Sequence, residues 1–240
     1  MTIILAIETS TDACSVALSS GPDTFYRFAQ EPRSHTQLVM PMVNEVLSDA
    51  KIGASAIDVI GVSIGPGSFT GLRIGFAVTQ GLAFGLNLPV IGVSSLEIMV
   101  ATYLRQHPSL AQQMEHGDKI VSVLDARMGE YNCGCYWIDS NGQIFSEHTD
   151  ILLSRSDALA WIQTLQPTAV IGETKKLFTE TSIWKNSIAE IHPEAIDLLE
   201  ITNSRHADGQ ALSIKDIELV YLRGTDAWQK RTRLRDKKNG

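Results

Sequence analysis

The sequence predicts an α/β protein built as two lobes, and three observations support this. Its 240 residues are about 1.6 times the roughly 150 residues of an average domain. Residues 59–93 read as a strand, a helix and a second strand, the pattern of a parallel βαβ unit. A strand–turn–strand pattern at the N-terminus returns about 115 residues later, which indicates a duplicated architecture. A composition with 44% hydrophobic and 20% charged residues excludes disordered, collagen-like and disulfide-scaffold proteins.

The first lobe opens with two apolar strands and a helix. Residues 3–7 and 14–18 flank a turn rich in Thr, Ser and Asp, which suits a hairpin closed by side chain to backbone hydrogen bonds. A helix is predicted over residues 35–50, with Ser34 as its N-cap and Pro41 expected to weaken or bend it. Its broad apolar stripe includes Leu38, Val39, Met42, Val43, Val46 and Leu47.

Residues 59–96 resemble a membrane segment in length but not in pattern. Arg73 is their only charged residue, and 23 residues from 74 to 96 are uncharged. Eight glycines, together with Gln80, Asn87 and Pro89, divide this stretch into short pieces. We therefore expect no membrane span. The pieces are a strand over 59–64, a glycine loop over 65–68, a helix from 69 or 70 to 85 and a strand over 90–93.

The second lobe is predicted to begin after residue 105, giving units 1–105 and 106–240 divided within a polar stretch at 105–118. Ser94 and Glu97 form a capping pattern for a helix over 94–106. Further elements are a hairpin over 119–138, a helix over 156–165, a strand over 169–171 and a helix over 194–201. Residues 214–228 mix strand-forming with helix-forming residues, so their secondary structure is left open. The last segment of the chain could pack back on the first lobe.

The charge is distributed unevenly along the chain. Residues 223–240 contain seven Lys/Arg and two Asp, a net +5, so the remaining residues carry −12 of the total −7. A basic tail from about residue 229 could contact phosphate groups or an acidic partner, although such an end is more commonly a solvated segment.

The cysteines and histidines argue against disulfides and metals. Cys14, Cys133 and Cys135 form neither an even set nor a C-x-x-C pair, which favours a reducing, cytoplasmic setting. The six histidines include no pair with metal-ligand spacing. Glu8, Asp12 and Asp125 are acid or base candidates, but turn chemistry explains them better because no companion base is visible.

Two features of the region from Gly65 onward have competing explanations. The loop Gly65-Pro66-Gly67-Ser68 lies between a strand and a helix, where backbone N–H groups can hold an anion, or it is simply a sharp turn capped by Ser68. The candidate phosphate-binding residues are Thr9, Ser10, Asp12, Gly65, Gly67 and Ser68. In the following helix, Gly71, Gly75, Gly81 and Gly85 permit close approach of either the chain's own sheet or a partner's helix.

Several of these motifs, in this order, resemble the bacterial TsaB (YeaZ) family. They are Ile4 to Leu18 with its Glu8-Thr9-Ser10-Thr11-Asp12 turn, Ser34-His35-Thr36-Gln37, Gly65 to Gly75 (GPGSFTGLRIG), Gly92 to Leu96 (GVSSL), Asp125 to Glu130 (DARMGE) and Tyr221-Leu222-Arg223. The resemblance spans nearly the whole chain and is densest in residues 1–130. It implies a two-lobed fold of the actin, sugar kinase and Hsp70 (ASKHA) type, built from two related α/β subdomains.

The resemblance also implies a role in making threonylcarbamoyladenosine beside the anticodon of tRNAs that read codons starting with A. The family acts as a non-catalytic partner of a TsaD-type transferase, together with a TsaE-type ATPase, and contacts tRNA only through that complex. Without the partner it forms a homodimer through the same two helices, here residues 35–50 and 70–85. The implied interface residues are His35, Leu38, Val39, Met42, Val43, Val46, Gly71, Ile74, Gly75, Val78 and Leu82.

No catalytic residue, metal or certain cofactor follows from the resemblance; ATP or ADP with Mg²⁺ would be bound only at the complex. Two enzyme hypotheses remain as alternatives. One is an ATPase or phosphotransferase using the candidate phosphate-binding residues, and a weaker one is a protease acting on the partner.

Overall fold

In the computed structural model, residues 2–31, 34–115, 117–139, 142–178 and 187–223 are described. Two mixed β-sheets form the two lobes, which confirms the predicted two-lobed α/β fold. The first sheet has the order β3-β2-β1-β4-β5 and the second β11-β10-β6-β7-β8, with β9 also pairing with β7. Each sheet has an antiparallel hairpin at its centre and parallel strands beside it.

The strands of the first sheet are β1 (Ile4–Glu8), β2 (Cys14–Ser20), β3 (Asp23–Ala29), β4 (Val59–Gly65) and β5 (Val90–Ser94). Those of the second are β6 (Lys119–Arg127), β7 (Glu130–Ile138), β8 (Ile144–Ser146), β9 (Ile151–Ser154), β10 (Ala169–Gly172) and β11 (Ser187–Ala189). The helices are α1 (His35–Asp49), α2 (Phe69–Leu86), α3 (Ser95–Gln106), α4 (Pro108–Ala111), α5 (Arg155–Leu165) and α6 (Ala195–Ala207), with 3-10 turns at Ala54–Ala56 and Ile214–Asp216.

Strand alternation buries both faces of the first sheet. Leu5 and Ile7 of β1 pack beneath α1 and α2, whereas Ile4 and Ala6 face α6 and the start of α3. This is the two-residue period of a strand applied to a sheet covered on both sides. The centre of the first lobe therefore combines early elements of the chain with α6, which comes about 190 residues later.

The second lobe repeats the arrangement. Val121, Val123, Cys133 and Cys135 face α5, and the opposite side of the sheet packs on α3. Both of these cysteines, like Cys14, are buried free thiols, as expected for small apolar core residues. Helix α3 lies between the lobes, because Ile98 contacts the first core and residues such as Met99 and Tyr103 contact the second.

Of the two predicted helix caps, the Ser34 side chain does not cap its helix, and Ser94 caps its helix without the predicted capping box. Ser34 is at the N-cap of α1, but its hydroxyl donates to the Glu31 carbonyl instead of accepting from the helix. Ser94 does cap α3, accepting from the Leu96 N–H at 3.2 Å, whereas Glu97 forms an ion pair with Arg205 of α6 and not a capping box. Pro41 lies on the exposed side of α1, and the helix is continuous through it.

Candidate partner-binding site

Most of the α1 residues predicted to contact a partner lie in the chain's own core. His35, Val39, Met42, Val43 and Val46 are at most 7% exposed. The apolar stripe of α1 packs on the first sheet, and the His35 ring contacts the backbone carbonyls of the turn after β1. The interface assignment of these five side chains must be corrected, since a partner cannot reach them in this fold; Leu38 is half-buried.

The first two glycines of α2 are explained by packing inside the chain. A Cβ on Gly71 would lie 2.1 Å from the Thr9 carbonyl oxygen, and one on Gly75 would lie 2.3 Å from Thr9 Oγ1. The turn after β1 therefore occupies the space that these glycines leave, and both are buried. Their predicted place in a partner interface must also be corrected. Ile74, Val78 and Leu82 are half-buried against the core of the first lobe.

The surface available to a partner lies on the other side of the two helices. We define the outer helix surface as Met40 and Pro41 of α1 with Gly81, Phe84 and Gly85 of α2. All five are exposed, Phe84 to 65% and Met40 to 39%. A Cβ on Gly81 or Gly85 would have no atom within 4 Å. Sequence reasoning missed Phe84, although its position between two helical glycines was a usable signal.

The candidate phosphate-binding loop contacts the chain's own turn. Ser68 N–H donates to the Ser10 carbonyl at 2.6 Å, and the Ser68 hydroxyl accepts from the Gly71 N–H at 3.3 Å. A Cβ on Gly67 would lie 2.3 Å from the same Ser10 oxygen. Thr9 Oγ1 donates to the Gly71 carbonyl at 2.9 Å. The structure thus brings Thr9, Ser10, Gly67 and Ser68 together, and it engages the Thr9 and Ser10 hydroxyls and the Ser68 N–H in hydrogen bonds within the chain; phosphate binding there stays a prediction.

Gly65 and Asp12, the remaining candidates, differ in their surroundings. Gly65 has a φ of +107°, and a Cβ there would lie 2.6 Å from the Val220 carbonyl oxygen. Asp12 is exposed on the turn. The carboxyl end of β4, where open α/β sheets generally bind ligands, is therefore covered by the C-terminal part of the described chain.

Glu8 is a buried carboxyl group at the end of β1. Its Oε1 accepts hydrogen bonds from the Ser10 N–H and hydroxyl, both at 2.5 Å, while Oε2 has no hydrogen-bond partner among the described residues. Burial raises the pKa of Glu8 to about 7, and the bonds from Ser10 offset only part of this rise. A group of this kind is a candidate acid or base, and its hydroxyl neighbour Ser10 is, like Glu8 itself, only 1% exposed.

Asp125, the corresponding residue of the second hairpin, is engaged in a different way. Burial alone would raise its pKa, but the Lys176 ammonium and the Arg127 N–H hold the pKa of Asp125 below its ordinary value. The described residues contain no group of three or more His, Cys, Asp or Glu side chains placed to hold a metal ion. None of the helices described here has the length and apolar character needed to cross a membrane.

The C-terminal segment, defined as residues 217–223, links the two lobes. The Val220 N–H donates to the Ile64 carbonyl of β4 at 2.7 Å, and Arg73 Nε donates to Tyr221 Oη at 3.2 Å. At its other end Arg223 pairs with Glu130 and donates to the Arg127 carbonyl of the β6–β7 turn. Of the ambiguous stretch 214–228, residues 214–223 form a 3-10 turn and an extended crossing, and residues 224–228 lie outside the described residues. The basic tail from 229, within residues 224–240, lies outside the described residues.

Comparison with known proteins identifies relatives over nearly the whole chain. Residues 29–165 match the family model TsaD, tRNA N6-adenosine threonylcarbamoyltransferase. The tRNA threonylcarbamoyladenosine biosynthesis protein TsaB of Escherichia coli is 35% identical, covering 95% of this chain and 97% of that protein. TsaB of Haemophilus influenzae is 31% identical, with 95% and 96% covered.

A solved structure shares the same arrangement of elements. YeaZ from Pseudomonas aeruginosa superposes with a TM-score of 0.79 at 32% sequence identity, and the match covers 92% of this chain and 100% of that one. Agreement in sequence and in three dimensions over both lobes shows that this chain belongs to the TsaB family of tRNA threonylcarbamoyladenosine biosynthesis proteins.

Proposed function

We propose that this chain is a non-catalytic subunit required for threonylcarbamoylation of the adenosine beside the anticodon, and that it binds a TsaD-type transferase through the outer helix surface. The observation that carries the proposal is the open space around Gly81 and Gly85. The relatives' names supply the pathway. A catalytic role for this chain lacks support because Glu8 and the Ser10 hydroxyl bonded to it are both buried, which leaves a substrate little access to them.

The energetics of α2 favour a partner at this surface. An interior glycine costs a helix about 1 kcal/mol relative to alanine. For Gly71 and Gly75 the close packing of Thr9 offsets this cost, but nothing in the described residues packs on Gly81 or Gly85. A second helix packed there would supply the missing contacts. It would also bury the exposed ring of Phe84 and the exposed thioether of Met40.

In this proposal two copies of the chain pair through the same outward sides of α1 and α2 when the transferase is absent. A TsaE-type ATPase would join the assembled complex, and ATP or ADP with Mg²⁺ would act there. In this proposal tRNA reaches the chain through the complex, in the cytoplasm.

The test is partner binding by outer-surface variants. We expect Phe84→Asp to weaken binding to the TsaD-type subunit at least about tenfold. In the complex the partner would bury the Phe84 ring, whereas an aspartate there would lose its hydration without gaining a partner. Met40→Asp is expected to act in the same direction. Affinity would be measured by calorimetry, and reconstituted tRNA modification should fall in parallel.

A matched control is Leu110→Asp, which places the same charge on an exposed apolar residue of α4. It should leave both partner affinity and tRNA modification unchanged. Charges at Val43 or Gly75 are unsuitable, since both residues are buried and their variants would damage the first lobe itself. Wild-type affinity in Phe84→Asp and Met40→Asp, with normal folding, would rule out this surface.

The enzyme alternative has its own measurement. Calorimetry of the isolated chain with ATP and Mg²⁺, followed by a turnover assay, should show no hydrolysis if the chain is a non-catalytic subunit. Tight nucleotide binding with turnover would instead favour the ATPase or phosphotransferase.

A further inference from the structure

An exposed cluster of two aromatic rings and a guanidinium lies where the C-terminal segment meets α2. Phe69 is 54% exposed and Tyr221 41%, and their ring centroids are 5.4 Å apart. The Arg73 guanidinium carbon lies 3.6 Å from the Phe69 ring centroid and 5.8 Å from that of Tyr221. We call these three residues the stacking cluster. Both rings keep a large exposed area, although the guanidinium covers part of the Phe69 ring.

The charged group of the stacking cluster is Arg73. Arg73 is exposed and forms no ion pair with a carboxylate of the described residues, unlike Arg27, Arg105 and Arg205. Along the same segment Arg223 pairs with Glu130 and contacts the β6–β7 turn, where the Arg127 side chain lies 3.6 Å from Asp125 Oδ2 but is 71% exposed. In the sequence, Arg223 also begins the basic end of the chain. Residues 223–240 contain seven Lys/Arg and two Asp, whereas the whole chain has a net charge of −7.

We propose that the stacking cluster, with Arg127 and Arg223 beside it, binds unpaired nucleotides of RNA directly. Aromatic faces stack on the bases of single-stranded nucleic acid, and guanidinium groups contact its phosphates. An acidic protein would be attracted by the arginines alone, whereas two exposed rings beside a guanidinium that has no carboxylate partner among the described residues match a base and its phosphate together. Identifying the RNA as tRNA rests on the proposed function, but here the contact is made by this chain itself.

The two kinds of contact predict different variant behaviour. Arg73→Ala should weaken tRNA binding and reduce the slope of log affinity against log salt by about one, because one phosphate contact is lost. Phe69→Ala should weaken binding about tenfold by loss of base stacking, with the salt slope unchanged. Both side chains are exposed, so neither substitution should prevent folding.

The measurement is fluorescence anisotropy of labelled tRNA between low and moderate salt, with the full chain alone and bound to its TsaD-type partner. Two controls match the substitutions. Phe145→Ala removes an exposed phenylalanine that stacks on Trp137 in the second lobe. Lys119→Ala removes one positive charge at the opposite end of β6 from Arg127. Both controls should bind tRNA as the wild type does.

Each outcome decides the inference. It is supported if Arg73→Ala and Phe69→Ala lose tRNA affinity with the two salt signatures while partner affinity is retained. It is overturned if both variants bind tRNA like the wild type, or if they lose partner affinity and keep tRNA affinity, which would identify an acidic protein as the ligand. Failure of the wild-type chain to bind the TsaD-type subunit at all would refute the proposed function, and the anisotropy of the chain alone would still decide the RNA contact.

Discussion

Replacing Gly71 with alanine is expected to lower the free energy of unfolding by about 3 kcal/mol, the upper end of what overpacking a tight site costs. The added Cβ would lie 2.1 Å from the Thr9 carbonyl oxygen. Because that oxygen belongs to the backbone of the turn after β1, it cannot move aside as the end of a flexible side chain could. Urea denaturation at neutral pH would measure the loss.

Gly81→Ala is the matched substitution ten residues along the same helix. Its Cβ would meet no atom within 4 Å, so the higher helix propensity of alanine should raise the free energy of unfolding by up to ~1 kcal/mol. The same change should reduce affinity for the TsaD-type subunit, because it fills space intended for a neighbouring helix. Equal effects of the two alanines on stability would contradict the assignment of one glycine to internal packing and the other to a partner.

The second large effect is expected in the pH dependence of the free energy of unfolding when Glu8 is replaced by a neutral side chain. The pKa of Glu8 is raised from 4.5 to about 7 by burial, so between these values the folded protein holds a proton that the unfolded chain has released. The wild type should therefore lose stability as the pH rises from about 4.5 to about 7, by roughly 3 kcal/mol in all. Glu8→Gln, which keeps the shape and the acceptor for Ser10, should be more stable than the wild type at pH 8.

Unfolding free energies measured from pH 4 to pH 8 would show this as a steeper slope in the wild type than in Glu8→Gln, because burial also raises the pKa of Glu97, Asp150 and Asp197, which both proteins contain. Glu200→Gln, an exposed carboxylate of α6, is the control and should follow the wild-type curve. Parallel curves for Glu8→Gln and the wild type across that window would show that Glu8 titrates like an exposed carboxyl group.

Several elements could be predicted closely because their signals are local. The apolar run of β4, the glycine loop and the long helix after it are defined by residues adjacent in sequence, so α2 was expected from 69 or 70 to 85 and extends over Phe69–Leu86. The hairpins follow from turn chemistry. Strands β3, β8, β9 and β11 were missed. The side chains of β3, β8 and β9 are half-buried or exposed, and such strands carry little periodic signal; β11 has only three residues.

The interface was harder to predict for a physical reason. An apolar stripe such as Val39, Val43 and Val46 shows that one side of a helix is buried but not what covers it, and here the first sheet covers it. Glycines are equally ambiguous: Gly75 and Gly85 look alike in sequence, but only the first has Thr9 against it. Family resemblance points to α1 and α2, which stays a prediction, whereas the exposure of Met40 and Phe84 could be recognised only from the structure.

The amino-acid sequence by itself determined the two α/β lobes, the family and the uneven charge, because these depend on periodicity, motif order and composition. Only the tertiary structure decided which side of α1 and α2 faces solvent, that the glycine loop is satisfied by the turn after β1, and that Tyr221 lies beside Phe69 and Arg73. These outcomes join residues as many as 152 positions apart, and such contacts are set by the packing of whole elements on the sheets.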